Sequence, residues 1–308
     1  MSRLWSAAPL LLTLASLFWA GNFVLGRAVG AGAAGDLGPV ALAFWRWVAA
    51  FALVLALGGR LAWRERREIA RAWPFLLFAG LMSVSAYNTL IYVGLQSTPV
   101  LNALLLQSAI PVLILVAGFA IYRDRIGWMQ VLGVALSLAG VIWILTEGHP
   151  ARLLEIGLGR GDALVLLGVA GNAVYFATLR SGPRLHPMAF LVAIFGLGLA
   201  LLAPVWWLSG HELPRQPVDA LSIGYLAVFA SLLALLFFNR GVALIGAARA
   251  GGFLHLMPVF GSLLSAVFLA EMPRTYHLIG GAVVIAGVLL AQGVLRRPGL
   301  RRAAAQKA

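Results

Sequence analysis

Ten apolar stretches follow one another along the chain, at about residues 8–28, 40–58, 73–93, 99–120, 128–146, 162–180, 187–208, 220–239, 249–270 and 276–295. Each is close to the roughly 20 residues that a helix needs to cross about 30 Å of hydrocarbon. With 62% hydrophobic and 11% charged residues, a chain of 308 residues cannot bury that apolar surface in one water-soluble core. Lipid must be its outer solvent. The expected class is therefore an all-α integral membrane protein of about ten transmembrane helices. The first run follows Arg3 as a signal peptide would, but it continues past Trp19 without a small-x-small cleavage site, so it reads as an uncleaved first helix.

The net charge of +13 suits nucleic acid in a soluble protein, but here the basic residues sit in loops between apolar runs. They read as topology determinants facing anionic lipid, and no nucleic-acid partner is expected. Placing loops alternately on two sides gives seventeen Lys and Arg on one side against four (Arg152, Arg160, Arg215 and Arg274), with Arg27 and Arg46 inside helices. The positive-inside rule then puts both termini in the cytoplasm. Trp5, Trp63, Trp73, Trp128, Trp206 and Trp207 lie near helix ends, as interface anchors do. The absence of cysteine excludes disulfides and thiolate chemistry.

The two halves repeat each other. Ala20-Gly21-Asn22 recurs as Ala170-Gly171-Asn172, and at an offset of 147 Pro111 falls on Pro258, Asp124 on Glu271, Gly133 on Gly280 and Gly140 on Gly287. Five helices per half is an odd number, so the second half enters the membrane inverted, about a pseudo-two-fold axis in the membrane plane. The expected division is a first repeat over 1–146, a periplasmic linker over 147–160, a second repeat over 161–295 and a basic cytoplasmic tail over 296–308.

These motifs resemble a known family. Phe18-Trp19-Ala20-Gly21-Asn22-Phe23, Arg46, the Pro111 to Asp124 stretch and the second-half run from Pro258 to Phe268-Leu269-Ala270-Glu271 look like tandem EamA domains of the drug/metabolite transporter superfamily, closest to the YddG-type exporters of aromatic amino acids. The resemblance implies ten helices in two inverted five-helix repeats, a central cavity, a bacterial inner-membrane location and outward movement of small metabolites by alternating access. It implies no cofactor.

Polar side chains within lipid-spanning helices are costly unless paired, so each marks either a substrate path or helix packing. Asn22 and Asn172 occupy corresponding positions, Trp19 and Phe23 flank the first, and Tyr175 shares a face with the second. Such amides serve a substrate or an interhelical bond. Ser85, Asn88 and Tyr92 form one stripe on the third helix with Tyr87 adjacent, read as cavity lining or as structural glue. His255 and Ser262 share a face of the ninth helix with Pro258, and His255 corresponds to Ser108. This histidine reads as a satisfied hydrogen-bonding residue or a proton carrier. Pro111 and Pro258 are expected hinges that free the carbonyls of Gln107 and Leu254, which can receive an ammonium group or simply accompany a kink. Gln107 itself is a further lining candidate. Arg46 attracts a carboxylate or serves structure.

The ten acids all fall in loops or near helix ends, so the usual intramembrane carboxylate relay is missing. No H-E-x-x-H, G-x-S-x-G or paired intramembrane carboxylate occurs, so neither an enzyme nor a metal site is expected. An uncharged, aromatic and amide-dotted cavity suits a neutral or aromatic amino acid. Other metabolites or drugs, or a channel or scramblase of the same architecture, are the alternatives. A monomer is the expected state.

Overall fold

The computed structural model describes residues 5–30, 37–95, 97–98, 100–155, 157, 159–268 and 273–292. The side chains of Phe23 and Tyr92, Glu271 and the tail 296–308 lie outside the described residues. Those described form helices and connecting turns without strands.

The first half contains α1 (Ala8–Gly30), α2 (Pro39–Arg64), α3 (Trp73–Gly80, Leu81–Ala86 and Tyr87–Leu95 in succession), α4 (Val100–Gln107 and Ile110–Tyr122) and α5 (Trp128–Leu145). In the second half are α6 (Arg160–Thr178), α7 (Pro187–Leu208), α8 (Pro217–Tyr225, Leu226–Leu233 and Ala234–Ile245), α9 (Ala247–Gly252, Phe253–His255 and Leu256–Phe268) and α10 (Thr275–Ala291). Eight of these are long and apolar enough to cross a bilayer, while α1 over Ala8–Asn22 and α10 are shorter apolar helices. The segment between α5 and α6 contains a 3-10 turn, Pro150–Glu155, and Arg152 pairs with Glu147 at 3.0 Å. That guanidinium holds the exposed Glu147 carboxyl below the usual carboxylate range.

Corresponding helices of the two halves pack antiparallel, as inversion requires. Along α2 and α7, Phe44 stacks on Trp206 with ring centroids 4.3 Å apart, Trp47 meets Phe195 at 4.9 Å, and Gly58 packs on Met188. As α2 is followed forwards, α7 is followed backwards. The α5–α10 pair shows the same reciprocity in its glycines. A methyl group on Gly140 would lie 2.8 Å from the Gly280 carbonyl oxygen, and one on Gly280 would lie 2.9 Å from the Gly140 oxygen. Gly133 and Gly287 form the mirror crossing, at 2.6 and 2.7 Å. The four glycines related by the sequence repeat therefore meet crosswise, with backbone against backbone. Close approach of this kind is how helices gain packing energy in lipid, where the hydrophobic effect does not drive them together.

Acidic side chains cap two helix starts at one end of the bundle. Asp162 Oδ2 accepts from the Gly159 amide at 2.7 Å, and Asp219 Oδ2 accepts from the Arg215 and Gln216 amides at 3.0 Å. Glu212 belongs to that end too, accepting from the Gly38 amide at 2.7 Å. The other end gathers Asp124 with Arg180, Glu65 with the His186 amide, Arg240 with the Trp5 carbonyl and Gln292 with the Arg249 carbonyl. Loops expected on one side of the membrane are thus neighbours in the fold. Trp63, Trp73, Trp128 and Trp207 are exposed near the bundle ends, where anchors belong.

Gly140→Val is expected to destabilise the detergent-solubilised protein by about 1–3 kcal/mol through overpacking against backbone, read as a lowered melting temperature. Gly127→Ala, whose methyl meets nothing within 4 Å, should leave melting unchanged.

Candidate functional site

Two helices that correspond across the repeat, α3 and α8, each carry a π-helical segment, Leu81–Ala86 and Leu226–Leu233. Such widened turns disturb the regular hydrogen-bond ladder and often accompany functional sites. Each meets an Ala-Gly-Asn segment of the other half. Gly21 lies against the Tyr225 hydroxyl and Gly171 against the Met82 sulfur, which explains the repeated glycine as a point of close approach. Trp19 donates its indole N–H to the Ala230 carbonyl, inside the second π segment, at 2.9 Å. Arg46, 5% exposed, donates from Nε to the Ser231 hydroxyl at 2.8 Å and lies 4.8 Å from the centroid of the Trp47 ring.

The asparagine after each of these glycines is differently placed. Asn22 is half-buried and Asn172 is buried, and neither amide makes a protein hydrogen bond among the described residues. Tyr175 is fully buried and exchanges hydrogen bonds with Asn239 of α8, whose amide nitrogen lies 3.1 Å from the phenol oxygen. Beside it, Trp19, Phe176 and Phe238 form an aromatic cluster, with Trp19 and Phe238 centroids 5.3 Å apart and Phe176 and Phe238 4.4 Å apart. Phe176, Phe238 and Asn239 were missed at the level of sequence. Phe176 adjoins Tyr175, which is a weak signal, and the other two belong to a helix whose pattern shows no polar stripe.

On α3 the predicted stripe divides. Ser85 donates to the Gly198 carbonyl of α7 at 2.6 Å, and Asn88 donates to the Val84 carbonyl at 2.9 Å; both are buried. The neighbouring Tyr87 lines a cavity of about 260 Å³ between α3 and α6 with Met82, Ala86, Leu90, Leu167, Gly168 and Gly171. Its hydroxyl donates to Gln107 Oε1 at 3.2 Å. Tyr87 and Gln107 are therefore brought together, while Ser85 turns to α7 and Asn88 to the backbone of its own helix.

Helices α4 and α9 are broken where the prolines predict, but just before them rather than at them. Residues 108–109 interrupt α4, and Phe253–His255 tightens to a 3-10 turn in α9. Carbonyls at the breaks are claimed from other helices. His255 Nε2 lies 2.9 Å from the carbonyl oxygen of Ser108, which is its own counterpart 147 residues earlier, and Nδ1 lies 2.5 Å from the Ser137 hydroxyl. A carbonyl only accepts, so Nε2 donates to Ser108, while the Ser137 hydroxyl, beside Nδ1, also lies 3.1 Å from the Val134 carbonyl, to which it donates. Ser16 of α1 donates to the Phe253 carbonyl at 2.8 Å. His255 is 1% exposed, so it joins α4, α5 and α9 near the pseudo-two-fold axis. Ser262 donates to the Pro258 carbonyl at 2.8 Å, within its own helix.

Beyond the breaks the two halves stop matching. The α4 piece Ile110–Tyr122 buries six residues, against α6 on one side and α9 on the other, where Gly251 packs on Pro111 and Ile114. Its counterpart Leu256–Phe268 buries only Leu256, and a methyl group on Gly261 would meet nothing within 4 Å. At the Asp124 end the halves are tied together. Arg180 binds Asp124 at 2.9 Å and lies 3.5 Å from the centroid of the Tyr122 ring, while the Tyr122 and Ser181 hydroxyls are 2.6 Å apart. The halves are thus tied at that end by polar and ring contacts, while the α9 piece beyond its break packs chiefly on α1 and is less buried than its counterpart. No group of three or more possible metal-ligating side chains occurs among the described residues.

Comparison with known proteins gives a consistent result. The model of the EamA-like transporter family matches residues 6–146 and again 159–292. An uncharacterized transporter of Bacillus subtilis, YyaM, is 26% identical over 270 residues, 86% of this chain and 88% of its own. A probable terminal-alkyne amino-acid exporter of Streptantibioticus cattleyicolor is 30% identical over 244 residues, 79% of this chain and 80% of its own. A solved crystal structure superposes with a TM-score of 0.77 at 21% identity, covering 95% of this chain and 98% of the other.

Trp19→Phe removes the indole donor from Ala230 while keeping an aromatic ring, and should cost about 1–3 kcal/mol by leaving a buried carbonyl unpaired. The expected readout is a lower melting temperature in detergent, against no change for Trp128→Phe at an exposed anchor.

Proposed function

The chain belongs to the EamA-like transporter family, and from that premise we propose that it exports neutral amino acids, aromatic ones first, across the bacterial inner membrane by alternating access. The observation that carries this reading is the combination of inverted halves with unequal packing about their shared axis. A pair of inverted halves whose corresponding pieces, Ile110–Tyr122 and Leu256–Phe268, are unequally buried is what a carrier that exchanges their conformations requires. The excess of Lys and Arg at the Asp124 end supports a cytoplasmic position for that end by the positive-inside rule. On this assignment residues 147–160 link the repeats in the periplasm, and both termini, including the basic tail 296–308, are cytoplasmic.

The Asn22 and Asn172 amides are uncommitted, and Tyr87 and Gln107 meet beside an apolar cavity. Amides, a phenol and apolar walls suit a zwitterion with an apolar side chain better than a multiply charged phosphate ester, which calls for several cations. The name of the Streptantibioticus relative, an amino-acid exporter, points the same way. Among the described residues every carboxylate lies in a loop or within the first turn of a helix, so proton coupling through an intramembrane acid has no residue to use. Transport, rather than catalysis, also matches the names of the relatives.

Proteoliposomes preloaded with unlabelled L-phenylalanine are expected to accumulate the labelled compound in saturable counterflow. Flux that is linear with concentration would indicate a channel, and no counterflow across a panel of neutral amino acids would remove the substrate assignment. Asn22→Ala and Asn172→Ala should each lower counterflow about tenfold, the equivalent of one lost hydrogen bond of about 1.4 kcal/mol, without lowering the melting temperature.

A further inference from the structure

A second cavity, of about 270 Å³, opens at the Asp124 end beneath the break in α4 and α9. It lies just below the usual range of small-molecule clefts, about 300–1,000 Å³. Its inner wall is apolar and includes Ile114, which also packs on Gly251 and so separates this space from the break above. Around its mouth stand Arg125, Arg180 and Arg249 with a single carboxylate, Asp124. Asp124 is committed to Arg180, and Arg125 and Arg249 form no ion pair among the described residues. Gln130 of α5 also lines the cavity, and its amide nitrogen is shielded from solvent with no hydrogen-bond partner. Buried donors normally find acceptors.

We propose that this cavity is a carboxylate-binding pocket at the cytoplasmic mouth, in which Arg125, Arg249 and the Gln130 amide hold the carboxylate of a small molecule whose apolar body lies against the inner wall. The arrangement selects by charge. Arg125 and Arg249, which form no ion pair among the described residues, attract an anionic group, while the Asp124–Arg180 pair adds no net charge to the rim. The apolar wall excludes ions without an apolar body. Both halves supply the lining, so a ligand seated here touches the elements that close this end. The location on the cytoplasmic side rests on the orientation proposed above, and the carboxylate chemistry rests on the cavity alone.

The chain has no cysteine, so Ala248→Cys places one thiol in the lining without further engineering. In phosphatidylcholine nanodiscs its labelling by a maleimide is measured with L-phenylalanine, phenylacetate and the two corresponding carboxamides. Both carboxylates at ten times their Kd should slow labelling about tenfold, since about a tenth of the sites stay free, and both amides should not. Adding Arg125→Gln and Arg249→Gln should abolish protection while leaving the unprotected rate and the melting temperature unchanged. Equal protection by amides, none by either carboxylate, or protection that survives the double substitution would overturn the proposal. So would slowing seen only when phosphatidylglycerol replaces phosphatidylcholine, which would assign the pocket to a lipid headgroup. Loss of counterflow with protection intact would remove the amino-acid reading and leave the pocket; counterflow without protection would do the reverse.

Discussion

A backbone carbonyl that leaves its helical ladder inside a bilayer has no water to turn to, and this protein is organised around meeting that demand. Its irregular turns fall in α3, α4, α8 and α9, the helices that surround the candidate site. Carbonyls at three of them are claimed from the other half of the chain: Ser108 by His255, Phe253 by Ser16 and Ala230 by Trp19. The breaks that give these helices their freedom are thus the places where the halves are stitched together. A side chain that satisfies a carbonyl at a break also fixes where the break can sit.

Around this stitching the repeat is obeyed unevenly. The α5–α10 pair is close to reciprocal, with glycine meeting glycine in mirrored order, and the α2–α7 pair is antiparallel with aromatic meeting aromatic. The α4 and α9 pieces beyond their breaks are not reciprocal, since one is well buried between α6 and α9 and the other, packed on α1 and α10, is mostly half-buried. Symmetric pairs provide a frame, and the unequal pieces provide two ends that differ. Closure at the Asp124 end uses polar contacts at the bundle mouth, which exchange with water at low cost, whereas the frame uses backbone contacts that do not.

Much of this was legible in the sequence for a physical reason. Apolar runs of membrane length, an even number of crossings and a one-sided excess of arginine are imposed by the bilayer, so the helix count and the inversion could be read before any coordinates. The repeated glycines could be read as well, because only a missing side chain lets two backbones touch. The π turns could not. One widened turn in Leu81–Ala86 changes the angular phase of everything after it, so the stripe of Ser85 and Asn88, drawn at a spacing of 3.6 residues, turned towards α7 and the helix's own backbone while Tyr87 faced the cavity. His255 was recognised as polar and intramembrane, but its partners Ser137 and Ser108 come from two other helices and leave no local trace. Helix α2 runs on to Arg64, beyond its expected end near 58, because a basic interfacial turn is compatible with continued helix.

A carrier built from two exchanging halves moves its two ends in opposite senses. Spin labels introduced by Phe119→Cys with Arg184→Cys at the Asp124 end, and by Leu104→Cys with Leu264→Cys towards the other, report these separations directly by pulsed electron resonance in nanodiscs. Saturating L-phenylalanine should lengthen the first distance and shorten the second within one population of molecules. Distances that stay fixed, or that lengthen together, would contradict a carrier built from two exchanging halves.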